Sequence, residues 1–127
     1  MAKSTVSANN TLDWQLGGAN PTRPTTRYVS FHTADPGSTG ASEVTTVGTG
    51  YARTSMAWNA AAAKSATNSG TIDITATGAF GPVTFWGVWD AVTAGNFLYG
   101  GAVTTSKTYA TGDHLTVAAA ALTVSEA

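Results

Sequence analysis

From residue 27 onward, apolar and polar positions alternate in short runs broken by turn residues, the habit of an antiparallel β protein. Val29 and Phe31 alternate with Tyr28, Ser30 and His32 in the first run, which Asp35-Pro36-Gly37 terminates. Residues 37–50 are rich in Gly, Ser and Thr and read as a loop; Tyr51 to Trp58 reads as a second strand. The stretch from Ala60 to Asn68-Ser69-Gly70 is too short for a stable helix and also reads as a loop. Ile72 and Ile74 then share one face of a third strand within Thr71 to Ala76. Val83 to Asp90 places Phe85, Trp86, Val88 and Trp89 on both faces, which predicts a central strand, and Ala94-Gly95-Asn96 folds it back onto Phe97-Leu98-Tyr99 as a hairpin. Leu115 and Val117 share a face, but Leu122 and Val124 are out of phase with them. A bulge or a turn therefore lies within Ala118 to Ala121.

The N-terminal segment follows a different period. Ser7 or Asn10 would cap a short helix that holds Leu12, Trp14 and Leu16 and stops at Gly17-Gly18. Leu12 and Leu16 are i,i+4 neighbours, yet so short a helix is marginal in water, so it must dock on something. Pro21 and Pro24 then enforce an extended connector. The expected architecture is mainly β: an antiparallel β-sandwich, jelly-roll-like, of about eight strands with a short N-terminal helical arm. Residues 1–26 form the arm and connector, and residues 27–127 the sandwich.

Composition narrows the function classes. A chain of 127 residues makes one domain with a real core, and without cysteine it has neither disulfides nor a thiolate metal site. Only 10% of residues are charged, against about 25% in ordinary soluble domains, and the net charge of -1 offers no footprint for nucleic acid. Disorder is excluded by the 43% apolar content. Ala and Thr take the place of charge, at 23 residues each, and such a neutral exterior suits a surface covered by other proteins. Met1 to Val6 lacks the apolar run of a signal peptide, and no stretch approaches the roughly 18 apolar residues of a membrane span, so neither secretion by a leader nor a membrane is expected.

The reactive inventory is thin: His32 and His114, aspartates at 13, 35, 73, 90 and 113, and glutamates at 43 and 126. His32 near Asp35, or His114 beside Asp113, would be the only acid/base pairings, and surface or loop-end polarity explains both better. No phosphate-binding, dinucleotide, zinc-protease, nucleophile-elbow or calcium-loop motif occurs. Asp35, Asp90 and Asp113 sit where turns need an acceptor. No catalytic residue, metal ligand or cofactor is assigned. Trp58, Trp86 and Trp89 fall in predicted strands and belong to the core. Trp14 lies ahead of the sandwich, and with Leu12, Leu16, Pro21 and Pro24 it forms the candidate interface, Trp being a frequent interface anchor. A glycan-binding module would want exposed aromatics beside Asp, Asn and Gln on loops, where this chain offers mainly Thr, Ser and Gly.

Several segments carry a resemblance. Leu12-Asp13-Trp14-Gln15-Leu16-Gly17-Gly18, Tyr28-Val29-Ser30-Phe31-His32-Thr33-Ala34-Asp35-Pro36 and Gly50-Tyr51-Ala52-Arg53 occur in this order. Asn68-Ser69-Gly70, Gly87-Val88-Trp89-Asp90-Ala91, Gly100-Gly101-Ala102 and Thr104-Thr105-Ser106-Lys107 continue it. The whole resembles the small structural proteins of tailed bacteriophages, either tail-fibre-like or head decoration proteins. The resemblance implies a virion component assembled in the host cytoplasm, a β-sandwich with a helical arm, and no enzyme activity. It also implies glycine near Ala120; if that position has positive φ, alanine is strained there. Between head and tail, about eight short strands make a globule and not a shaft, which favours a capsid decoration (cement) protein. Its partner would be the major capsid protein or a neighbouring tail protein, and the chain would form a homo-oligomer such as a trimer. A tail-fibre-associated structural protein or adhesin is the alternative.

Overall fold

The computed structural model describes residues 2–126. Nine strands and one helix follow in the order β1 (Ala2–Lys3), α1 (Thr5–Leu16), β2 (Arg27–His32), β3 (Thr54–Met56), β4 (Ser65–Thr67), β5 (Ile72–Thr75), β6 (Phe80–Trp89), β7 (Phe97–Tyr109), β8 (His114–Val117) and β9 (Thr123–Ser125). β1-β7-β6-β2-β3 form an antiparallel five-stranded sheet, with β6 in the middle as its apolar faces predict. Two further antiparallel pairs, β5–β8 and β4–β9, complete a β-sandwich.

β2 and β6 are buried on both faces, so the sheet has a core on each side. On one side Val29, Phe31, Val83, Trp86 and Val88 meet Tyr51, Phe80 and the inward Ile72, Ile74, Leu115 and Leu122. Fully burying each of these side chains is worth about 1.5–3 kcal/mol. On the other side Ser30 and His32 lie with Trp89 and Phe97 beneath the segment 33–42, whose Pro36 is fully buried. That segment fits closely at Gly40, where φ is +81° and a Cβ would stand 2.3 Å from the Trp89 ring.

A buried asparagine closes the first core. Asn68 donates through Nδ2 to the carbonyls of Gly70 (2.8 Å) and Ala118 (3.0 Å), and its Oδ1 accepts from Leu122 N (2.8 Å). The out-of-phase stretch after β8 is consequently a turn, in which Ala121 N donates to Ala118 O and Ala120 adopts φ +62°.

Several boundaries differ from expectation. α1 begins earlier than predicted: Ser4 is its N-cap, accepting from Ser7 N, and neither Ser7 nor Asn10 caps it. The strand expected over Tyr51 to Trp58 pairs regularly only at Thr54–Met56, because Tyr51 and Arg53 turn their side chains into a polar network. β4 was hidden in the expected loop; the tight turn ahead of it carries Ala63 and Lys64 at φ +49° and +65° without the Asn-Gly chemistry that normally marks such turns. β7 continues far beyond Tyr99, through Gly100-Gly101 and a Thr-rich run, with a broad bulge between Ala102 and Lys107 opposite Phe85 and Val83. β1 carried no readable signal.

Ala120→Gly should relieve the left-handed strain, which costs about 1–2 kcal/mol in alanine, offset in part by the greater freedom of glycine in the unfolded chain. The expected outcome is a melting midpoint raised by a few degrees, measured by calorimetry; a fall would show that the turn does not hold Ala120 as described.

Candidate functional site

The two histidines of the sequence have unrelated surroundings. His114 lies at the surface, where Nδ1 is 2.8 Å from Asp73 Oδ1 across the β5–β8 pair, and not in a pairing with Asp113. Asp113 instead accepts from Ala110 N, Asp35 from Gly37 N and Asp90 from Asn96 N, the turn roles read from the sequence. His32 is wholly buried. Its Nδ1 lies 2.7 Å from Ala41 O, which fixes that nitrogen as the protonated one, so Nε2 accepts from Ser30 Oγ at 2.7 Å. Ser30 Oγ in turn accepts from Trp89 Nε1 at 2.9 Å. Serine bonded to histidine is the pairing of a nucleophile and its base. Here both are sealed at 0% exposure and every position around them is occupied, so the chain of bonds organises the second core.

Beside it, Glu43 receives Arg53 in a bidentate pair (2.8 and 2.9 Å) and the Tyr51 hydroxyl at 2.6 Å. Arg53 also donates to the carbonyls of Ala91 and Ala94, and its guanidinium stacks 3.6 Å over Trp89. This clamps the β6–β7 turn onto the loop before β3. Burial pushes the Glu43 carboxyl up, but the hydrogen bonds from Arg53 and Tyr51 outweigh it and hold the group below its ordinary range. Burial, reinforced by the bond to Glu43, pushes the Tyr51 phenol far up. Burial pulls His32 below its ordinary value. Among the described residues, no group of three or more His, Asp or Glu side chains is placed to hold a metal ion, and no helix is long and apolar enough to cross a membrane.

The exposed features lie elsewhere, on the arm. α1 is inverted in polarity: it rests on β7 through the small buried Ser4 and Ser7 and the half-buried Thr11, and turns its leucines outward. Leu12 is 55% exposed and Leu16 79%. Trp14, 69% exposed, is two residues from each and projects from roughly the opposite side of the helix. It lines a groove of 570 Å³ with Pro21, Pro24, Asn10, Arg23 and Leu98. Of the five candidate interface residues, the structure brings Trp14, Pro21 and Pro24 together along this groove and puts Leu12 and Leu16 on a separate face.

The helix is fastened at its start. Ser4 N donates to Leu98 O, Lys3 Nζ donates to Thr11 Oγ1 and pairs with Glu126 at 2.8 Å, and Tyr99 donates its hydroxyl to Glu126. Next to this clasp is a feature the sequence did not announce, an apolar pocket of 330 Å³ between β4, β9 and β7. Trp58, Ala66, Val88, Leu98, Tyr99 and Val124 form its walls, and Arg27, Lys64 and Glu126 stand at it. Trp58 stacks on Trp86, and its buried indole N–H has no acceptor among the described residues. β4, the unforeseen strand, supplies one wall, which is why the pocket was not legible.

The folded-state pKa of His32 lies below its ordinary 6.5, so its contribution to stability is complete above that pH and is lost as the pH falls through it towards the folded value. The Glu43 contribution is present above 4.5 and is lost as the pH falls further. The melting midpoint should therefore begin to fall below pH 6.5 and fall more steeply below 4.5, where Glu126 adds to the loss, and His32→Gln should remove the decline that begins at 6.5. A wild-type midpoint that stays level until the pH is below 4.5, or a His32→Gln variant with the wild-type profile, would contradict the network.

No curated protein matches the chain. Residues 2–125 match the family model Gp80, described as Podophage GP4 fiber I protein gp80. The match is to a fibre protein, so it supports the tail-fibre reading over the head decoration one. A globular shape does not decide between the two, because a fibre's length need not come from each of its subunits. With the match running over nearly its whole length, the chain belongs to the Gp80 family of phage fibre proteins and is a structural component of a phage virion.

Proposed function

We propose that the chain is a tail-fibre-associated structural protein whose sandwich, residues 27–127, is the body, and whose arm, residues 1–26, attaches it to neighbouring virion subunits. The observation that carries this reading is the outward leucine face. A water-exposed helix normally turns such residues inward, and α1 has a β-sheet beneath it on which they would fit. It buries serines there instead and leaves Leu12 and Leu16 in solvent, an arrangement that is stabilising only when another surface covers them.

The family match supports a place in the tail fibre; the partner is then a neighbouring tail protein or a further copy of this chain. The neutral exterior is consistent with contacts made by apolar and hydroxyl groups, which resist changes of salt. The Ser30–His32 pair, sealed from solvent, does not support an enzyme reading at that position.

Leu12→Ser/Leu16→Ser should leave the fold intact, with an unfolding free energy within about 1 kcal/mol of wild type, since both side chains are already largely exposed. Particles produced with this variant should lose the protein from the tail, measured by immunogold labelling and by its yield in purified virions. Full incorporation of the variant would overturn the arm's role, and labelling spread over the head would restore the decoration reading.

A further inference from the structure

We propose that the leucine face of α1 in one copy seats in the apolar pocket between β4, β9 and β7 of a second copy. The inference rests on the reading of the arm as the attachment element and adds the partner and its socket.

The two surfaces are complementary in kind and in charge. The knob is Leu12 and Leu16, with Asp13 between them in sequence, and Asp13 makes no ion pair among the described residues. The socket is walled by Trp58, Ala66, Val88, Leu98, Tyr99 and Val124, and its 330 Å³ falls within the range that holds an apolar guest. Of the charged side chains at the socket, Glu126 is occupied by Lys3, whereas Arg27 and Lys64 have no anionic partner among the described residues. The socket therefore offers net positive charge to a knob that brings Asp13.

The chain cannot satisfy the socket with its own knob. Ser4 and Ser7 hold α1 on β7, which directs the leucines away from the sheet that carries the pocket wall. Leu98 borders both the pocket and the groove under α1, so the helix stands beside the socket while its leucines face away from it. Two copies related by a two-fold axis bring each knob to the other's socket and close the pair, burying both patches at once.

Sedimentation velocity on the full chain over a concentration series tests this. The wild-type protein should form a dimer. Leu12→Ser/Leu16→Ser and the socket-filling Ala66→Trp should each weaken it by about tenfold or more. Asp13→Lys should weaken it too, and adding Lys64→Asp in the same chain should recover much of the loss, a rescue that no effect on folding would produce. A wild-type chain that stays monomeric throughout, or a dimer indifferent to Ala66→Trp and not rescued by the charge exchange, would overturn the proposal. A monomeric chain that still enters particles only with its leucines intact would defeat the self-docking and leave the attachment reading standing. A dimer as described, with incorporation indifferent to the leucines, would do the reverse.

Discussion

On a strand buried on both faces an unpaired polar group is costly, and β2 carries Ser30 and His32 into that position. The rest of the second core follows from meeting this demand. The Ala41 carbonyl must lie over the imidazole, so the segment 33–42 has to fold back across the sheet. The Trp89 indole must reach Ser30, so the ring lies flat against the sheet, where Arg53 covers it and joins it to Glu43 and Tyr51. Residues between these groups have to be small. A Cβ on Gly87 would stand 2.6 Å from Phe97 and 2.8 Å from Ser30 Oγ. Truncating any one member strands its neighbours without partners, which costs more than the bond itself was worth.

The parts of the fold that were legible are those where the apolar period is unambiguous. Val29 and Phe31, Ile72 and Ile74, and the two-faced run in β6 all lie where their patterns place them. The misreadings have physical causes. Ser30 and His32 look like the solvent face of a half-buried strand, because alternation cannot distinguish a polar residue that meets water from one that meets a complete set of protein partners. Ala63-Lys64 makes a left-handed turn from residues with no turn signature, so β4 and the pocket it walls went unread. Ala120 went the other way: its positive φ was expected from a resemblance, and local residues alone carried no sign of it.

The arm divides along the same line. Leu12, Trp14 and Leu16 were identified from residue type, yet which of them would be covered depended on the inner face, and that face is made of serines. Small polar side chains let α1 approach β7 closely and hold it through the cap at Ser4, so the larger apolar residues are left for the outside. The residues that hold the arm on the sheet and those it exposes are in this way different ones.

Lys3 and Glu126 lie 123 positions apart in the chain, and their contact closes a loop that includes nearly all of it. So long a closure is entropically unfavourable until the intervening strands are paired, after which the two side chains face each other with little further ordering. The Lys3–Glu126 contact therefore draws its stability from the strands paired between its two ends, and little from the exposed ion pair itself.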